Sequence, residues 1–177
     1  IYICYDNEAY MNTGVQGSSS TPYGASTTTT PAGKKVNSKD FMQIVMAHHV
    51  PYAASASVAN IPDLRKKIEK AKQYRGCRVL HIMSPCPTGW GYKMNKTVEV
   101  AREAINSGAW VLMEYENGRL KLGKTPAKLG DVGDYFRLQK RFQGVSEEDM
   151  EKINGHIRES YEYLEKQAEL NKRGKET

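Results

Sequence analysis

The sequence predicts an α/β fold: a mostly parallel sheet, doubly wound by helices on both faces, with a helical segment at its C-terminal end. Three observations carry this. Short runs rich in β-branched and aromatic residues alternate with amphipathic helical patterns over the first two thirds of the chain. One run, Arg-Val-Leu-His-Ile-Met-Ser at 78–84, is almost continuously apolar, as a strand covered on both faces requires. Beyond residue 131 strand patterns stop and only helical ones remain. The expected division is 1–130 for the sheet-bearing part and 131–177 for a helical extension.

The elements follow in order. Residues 1–5, Ile-Tyr-Ile-Cys-Tyr, read as a buried strand that delivers Asp6 and Asn7 at its carboxyl end. Residues 14–35 hold four Gly, two Pro and a dense Ser/Thr set including Thr27 to Thr30, which resists helix and strand alike. Connections of about 20 residues in compact domains are usually functional or disordered. Ser38 is the expected cap of a helix burying Phe41, Ile44, Val45 and His48 on one face. A second strand is expected at 52–56. The next helix, opened by Ile61-Pro62, presents Leu64, Ile68 and Ala71 inward and Arg65, Lys66, Lys67, Lys70 and Lys72 to water. A third strand falls at 78–84. A helix at 97–107 follows, burying Val98, Ala101 and Ile105, and then a fourth strand at 110–115 with an Asn117-Gly118 turn. Residues 132–142 read as helical, and Ser146 caps a helix reaching about Leu170, followed by a polar tail at 171–177.

At 177 residues, with 39% hydrophobic and 26% charged residues and a mean hydropathy of -0.65, the chain can bury a sizeable core. That composition excludes a wholly disordered or fibrous protein. No segment is apolar enough to span a bilayer, so no membrane partner is expected. The net charge of +6 and a pI near 9.1 suit an acidic partner or simply a solvated basic surface. Trp90, Tyr92 and Trp110 are not interleaved with basic residues along one element, which argues against nucleic acid. Three scattered cysteines, Cys4, Cys77 and Cys86, form no CxxC and favour a reducing, cytoplasmic setting over a disulfide framework. His48-His49 lacks the spacing of a zinc site.

Two places carry candidate chemistry. Asp6-Asn7-Glu8-Ala9-Tyr10-Met11-Asn12-Thr13-Gly14 sets amide, carboxylate and carbonyl oxygens at a strand's carboxyl end, where ligands of open α/β sheets bind and where a hard cation such as magnesium finds oxygen donors. The same residue types also make ordinary turns. Cys86, held between Pro85 and Pro87 after a strand, is either a small buried hydrophobe or a ligand.

The string Asp6-Asn-Glu-Ala-Tyr-Met-Asn-Thr-Gly-Val-Gln16, with Ser18-Ser-Ser-Thr-Pro22, Thr27 to Pro31 and Gly33-Lys34, resembles the thiamine diphosphate-binding part of pyruvate:ferredoxin oxidoreductase beta subunits. Ser84-Pro-Cys-Pro-Thr-Gly-Trp90 is similar to that family's cysteine loop, Glu114-Tyr-Glu-Asn-Gly118 to the following strand and turn, and 135–142 to a late helix. The likeness runs in order over about 1–165.

The resemblance implies a thiamine diphosphate-binding fold. It further implies that Asn7, Glu8, Ala9, Tyr10, Met11 and Asn12 form the cofactor loop, with Asn7 and the Ala9 carbonyl as magnesium ligands. Asn12 would be catalytic beside the thiazolium, and Cys86 would be one thiolate of a 4Fe-4S cluster. Partners implied are other oxidoreductase subunits, ferredoxin, pyruvate and coenzyme A, with a branched-chain 2-oxoacid as the alternative substrate. Gly17 stands where the family's pattern has arginine. The family's Gly-Asp-Gly motif and three further cluster cysteines do not occur in the sequence, so the chain is expected to be an incomplete domain lacking its N-terminal part. A non-catalytic basic binding module is the competing class, one whose affinity would fall steeply with salt.

Overall fold

The computed structural model describes residues 1–123, 126 and 128–173. Its centre is a five-stranded sheet in the order β1 (Tyr2–Asp6), β5 (Arg78–Met83), β4 (Tyr52–Ser57), β6 (Met113–Glu116) and β7 (Arg119–Leu122). β1, β5 and β4 are parallel, and β6 and β7 form an antiparallel hairpin on β4. Two short segments, β2 (Ala9–Tyr10) and β3 (Gln16–Gly17), pair with each other outside this sheet.

Side-chain alternation along β4 and β5 distributes the core. Tyr52, Ala54, Ala56, Leu80 and Ile82 face α2 (Ile61–Ala71), which contributes Leu64, Ile68 and Ala71. Ala53, Val79, Met113 and Tyr115 face the other way, against Val45 and Met46 of α1 (Phe41–Ala47) and Leu164 and Ala168 of α6 (Glu147–Arg173). Helices therefore cover both faces, as the apolar run at 78–84 requires. A further cluster sits at the carboxyl end of the sheet. There α4 (Thr97–Asn106) and α5 (Val132–Arg137) pack around Trp90, Trp110, Phe142 and Ile153.

Several expectations need correction. β1 is an edge strand here, with Tyr2, Ile3 and Tyr5 exposed, because β5 pairs with only one of its sides. α1 is capped by Asp40, whose carboxylate accepts the Gln43 amide at 2.9 Å, and not by Ser38. Its buried residues are Met42, Val45 and Met46, which leaves Ile44 and His48 outside. Val98 is likewise exposed and Val100 takes the inward position on α4.

Lys67 does not face water. Its ammonium, 1% exposed, donates to the Ser55 carbonyl at 2.8 Å and pairs with Asp63 at 2.7 Å. β6 pairs with Tyr52, Ala53 and Ala54 but not with Ser55, so this buried carbonyl takes the lysine as partner.

The fourth strand begins at Met113 rather than Trp110 and runs antiparallel. α3 (Pro87–Trp90) and a 3₁₀ turn at Met94–Lys96 consume the first half of the crossover. α4 then packs at the carboxyl end, and the Trp110 indole reaches the Ala56 carbonyl at 3.1 Å. The chain thus enters β6 from the end at which it left β5.

The helix expected over 132–142 divides into α5 and a 3₁₀ turn, Lys140–Phe142. α6 continues to Arg173, past Asn171, and residues 174–177 of the expected tail lie outside the described residues. Among the described residues no helix is long and apolar enough to cross a membrane.

Candidate functional site

The carboxyl ends of β1 and β5 lie side by side: Asp6 pairs with Met83, and the Ser84 amide donates to the Asp6 carbonyl at 2.8 Å. The loops that leave these two ends, one carrying Asn7 to Asn12 and the other Cys86, are neighbours by construction. Parallel pairing alone brings together residues about 80 positions apart in sequence.

The first loop is built from buried polar contacts. The Asp6 carboxylate accepts the Glu8 amide at 2.8 Å, the Ser20 hydroxyl at 2.5 Å and bonds His81 Nε2 at 2.8 Å. Burial opposes its charge, yet the hydrogen bonds from His81 and Ser20 hold the carboxyl below the usual aspartate range. His81 is wedged between Phe41 and Trp110, with ring centres 4.7 and 4.5 Å away.

Glu8 adopts a left-handed backbone, φ 63°, and points its carboxylate into the protein, where Arg141 Nη2 meets it at 2.5 Å. Desolvation raises the Glu8 carboxyl against the pull of Arg141. The Glu8 carbonyl accepts the Thr21 hydroxyl at 2.5 Å. Its amide, carbonyl and carboxylate are all engaged within the protein, so Glu8 shapes the loop.

Asn7 and Ala9 remain half-buried on the outer side, with Asn7 Oδ1 3.4 Å from the Ala9 amide. An amide oxygen and a backbone carbonyl two residues apart are neutral hard donors, chemistry that fits magnesium and supplies two of its roughly six ligands. Tyr10 is exposed, as is Asn12, whose side chain makes no hydrogen bond among the described residues.

The long polar loop is ordered by its own hydroxyls. Thr27 bonds Thr30 at 2.8 Å, the Gly17 amide donates to Thr29 Oγ1 at 2.8 Å, and Lys34 Nζ donates to the Thr21 and Ser18 carbonyls at 2.6 and 3.2 Å. A Cβ on Gly17 would lie 3.3 Å from the Thr27 and Thr29 hydroxyls, so a side chain there presses directly on this cluster.

Cys86 caps α3, its half-buried sulfur accepting the Gly89 amide at 3.4 Å. Two contacts join this helix to the first loop. The Trp90 indole donates to the Asn7 carbonyl at 2.8 Å, and a Cβ on Gly89 would fall 2.1 Å from Met11 Sδ. A side chain at 89 would push Met11 away.

A single thiol fits one vertex of a cluster and no more. Cys77 precedes β5 and Cys86 follows it, so about 20 Å of strand separates them. Cys4 lies mid-strand, in register with His81. No group of three His, Cys, Asp or Glu side chains is placed to hold a metal among the described residues.

Arg141, beside Lys140 in the stretch 135–142, carries no charge-pattern signal that sets it apart in the sequence. Its guanidinium is 4% exposed and stacks over Trp90, 3.8 Å from the ring centre. Only the hydrophobic spacing of Tyr135, Phe136 and Phe142 around it hinted at burial.

Residues 1–82 match the family described as thiamine pyrophosphate enzyme, C-terminal TPP binding domain. The chain is 43% identical to pyruvate synthase subunit PorB of Methanocaldococcus jannaschii, over 93% of this chain and 57% of that protein. It is 46% identical to PorB of Methanothermobacter marburgensis, over 89% and 56%. Ketoisovalerate oxidoreductase subunit VorB of Pyrococcus abyssi is 45% identical, over 96% and 57%. The chain thus spans somewhat more than half the length of these relatives. With this likeness along nearly all its length, the chain belongs to the family of 2-oxoacid oxidoreductase subunits represented by PorB and VorB.

Proposed function

We propose that the chain is the thiamine diphosphate-binding portion of a heteromeric 2-oxoacid:ferredoxin oxidoreductase acting on pyruvate. It would yield acetyl-coenzyme A and carbon dioxide, or run in reverse, with electrons passing through iron–sulfur clusters to ferredoxin. The observation that carries this reading is the contact between the two loops, Met11 against Gly89 and Trp90 on Asn7. It sets the proposed cofactor anchor beside the proposed cluster thiolate, as electron transfer from one to the other requires.

Thiamine diphosphate, when bound, supplies a carbon nucleophile and an electron sink for decarboxylation. The residues of this chain do the rest. Asn7 Oδ1 and the Ala9 carbonyl hold the magnesium that anchors the diphosphate. The exposed Asn12 amide donates a hydrogen bond to the substrate oxygen as charge develops on it. Cys86 gives one thiolate, with the Gly89 amide as a local donor to its sulfur, and the segment after residue 131 braces the loop from behind.

A branched-chain substrate is the second reading, because identity to VorB matches that to PorB within a few per cent. The test is a reconstituted assembly assayed for coenzyme A-dependent reduction of ferredoxin. A higher kcat/KM for pyruvate than for ketoisovalerate supports the first reading, and the reverse order supports the second. An assembly that is colourless and reduces nothing with either substrate refutes both.

A further inference from the structure

Three segments meet at one guanidinium. Arg141 pairs with Glu8 at 2.5 Å and lies over the Trp90 ring at 3.8 Å, and its own carbonyl accepts the Ser26 amide of the threonine-rich loop at 2.7 Å. Gln139 Oε1 accepts from its Nε at 2.9 Å, and Nη2 also reaches the Tyr135 hydroxyl at 3.3 Å. The guanidinium is thus fixed from its own segment and faces outward to the other two, the 7–9 turn and the Cys86 helix.

Its two outward contacts close a ring. Glu8 lies between Asn7 and Ala9 and is held in the left-handed region, where non-glycine residues rarely sit without tertiary support. Trp90, covered by the guanidinium at 3.8 Å, donates its indole N–H to the Asn7 carbonyl and ends the helix that Cys86 begins. Removing Arg141 leaves a buried Glu8 carboxylate without its cation. It also removes the cation that covers the indole ring.

We propose that Arg141 is a positioning residue. Through Glu8 and Trp90 it fixes the 7–9 turn and the Cys86 helix to one another, so that magnesium–diphosphate anchoring and thiolate placement are mechanically one unit. The proposal rests on the reading of 7–12 as the cofactor loop. Lysine is a poor substitute, because it keeps a charge for Glu8 but has no planar face for Trp90.

The test uses the complete enzyme carrying Arg141→Lys, Arg141→Met, or the pair Glu8→Gln with Arg141→Met, which removes the unpaired buried charge and so protects folding. The first readout is amide hydrogen exchange at 7–9 and 87–91 in cofactor-free enzyme. The second is thiamine diphosphate affinity at limiting magnesium, measured calorimetrically. In Arg141→Lys and in the double variant, exchange is expected to rise in both segments together. Affinity is expected to fall roughly 10- to 100-fold, the scale for residues that orient a metal ligand. Protection retained at 7–9 and 87–91 in all three variants overturns the proposal, as does loosening of one segment without the other. Joint loosening with unchanged affinity, matched by unchanged affinity in Asn7→Ala, keeps the mechanical link and overturns the cofactor reading beneath it. Asn7→Ala that weakens binding while the Arg141 variants do not overturns the proposal alone.

Discussion

Both ends of the sheet carry partly buried ion clusters, and they are built differently. At the amino end Lys70 lies between Glu114, at 2.9 Å, and Glu116, while Tyr52 donates to Glu114 at 2.9 Å and Tyr74 to Glu116 at 3.1 Å. All five side chains come from regular helix or strand or its immediate flank, and Lys70 and both glutamates keep some contact with water. The positive φ angles nearby fall on Asn117 and exposed His49, residue types that tolerate them. At the carboxyl end the Glu8–Arg141 ion pair and the Asp6–His81 hydrogen bond are nearly sealed, and the left-handed residues are a buried glutamate and a β-branched Val15. An ion cluster by itself therefore marks nothing. Left-handed backbone held beside sealed polar pairs, with half-buried Asn7 and Ala9 next to it, distinguishes the end to which we assign the chemistry.

Substitutions separate the two ends. The largest effect is expected at Cys86. In the full assembly Cys86→Ala should lose one cluster's iron and sulfide and its electron transfer, whereas Cys77→Ala, at the opposite end of β5, should lose neither. Iron analysis with electron paramagnetic resonance of the reduced protein reads both, and full iron in Cys86→Ala would make the Pro-Cys-Pro loop structural. Next, Asn12→Ala should lower turnover about 100- to 1000-fold with cofactor affinity nearly unchanged, the scale of a lost oxyanion donor. Near-normal kcat in a steady-state assay would reduce Asn12 to a turn residue. Asn7→Ala should weaken thiamine diphosphate binding by roughly 100-fold at limiting magnesium, at or above the cost of an outer-shell change, with partial recovery in excess magnesium. A titration that ignores magnesium concentration would break that assignment.

The smallest effect belongs to the amino end. Lys70→Ala should cost about 1 kcal/mol of stability and leave kcat and cofactor affinity alone. Its pH dependence has a definite sign. Desolvation works to raise the Glu116 carboxyl, but hydrogen bonds from Lys70 and Lys121 hold it below the ordinary value. A lowered folded value contributes stability above the unfolded glutamate value of about 4.3, and that contribution fades as pH falls through the lowered value. Melting curves of parent and variant should therefore differ at pH 7 and draw together as the pH falls below the unfolded value and through the lowered one. A difference that persists in acid would assign the effect to lost packing of the lysine stem.

The sequence by itself determined most of the elements and the residue content of the two loops. Alternating apolar runs required a covered sheet, the strands expected at 52–56 and 78–84 pair in parallel as Tyr52–Ser57 and Arg78–Met83, and Asp6 to Asn12 and Ser84 to Trp90 declared their polar and thiol content. Local pattern sufficed there because period and residue type are local quantities. Tertiary structure decided what no period encodes. It turned α1 by one residue so that Met42 and Met46 point inward, sent β6 antiparallel, and drew Lys67 into the core to meet a carbonyl that the ladder leaves free. It also carried Arg141 more than 130 residues back in sequence to Glu8 and Trp90's indole to Asn7. Those pairings depend on where separate elements dock. A buried arginine and a solvated one look identical until the chain has closed around them.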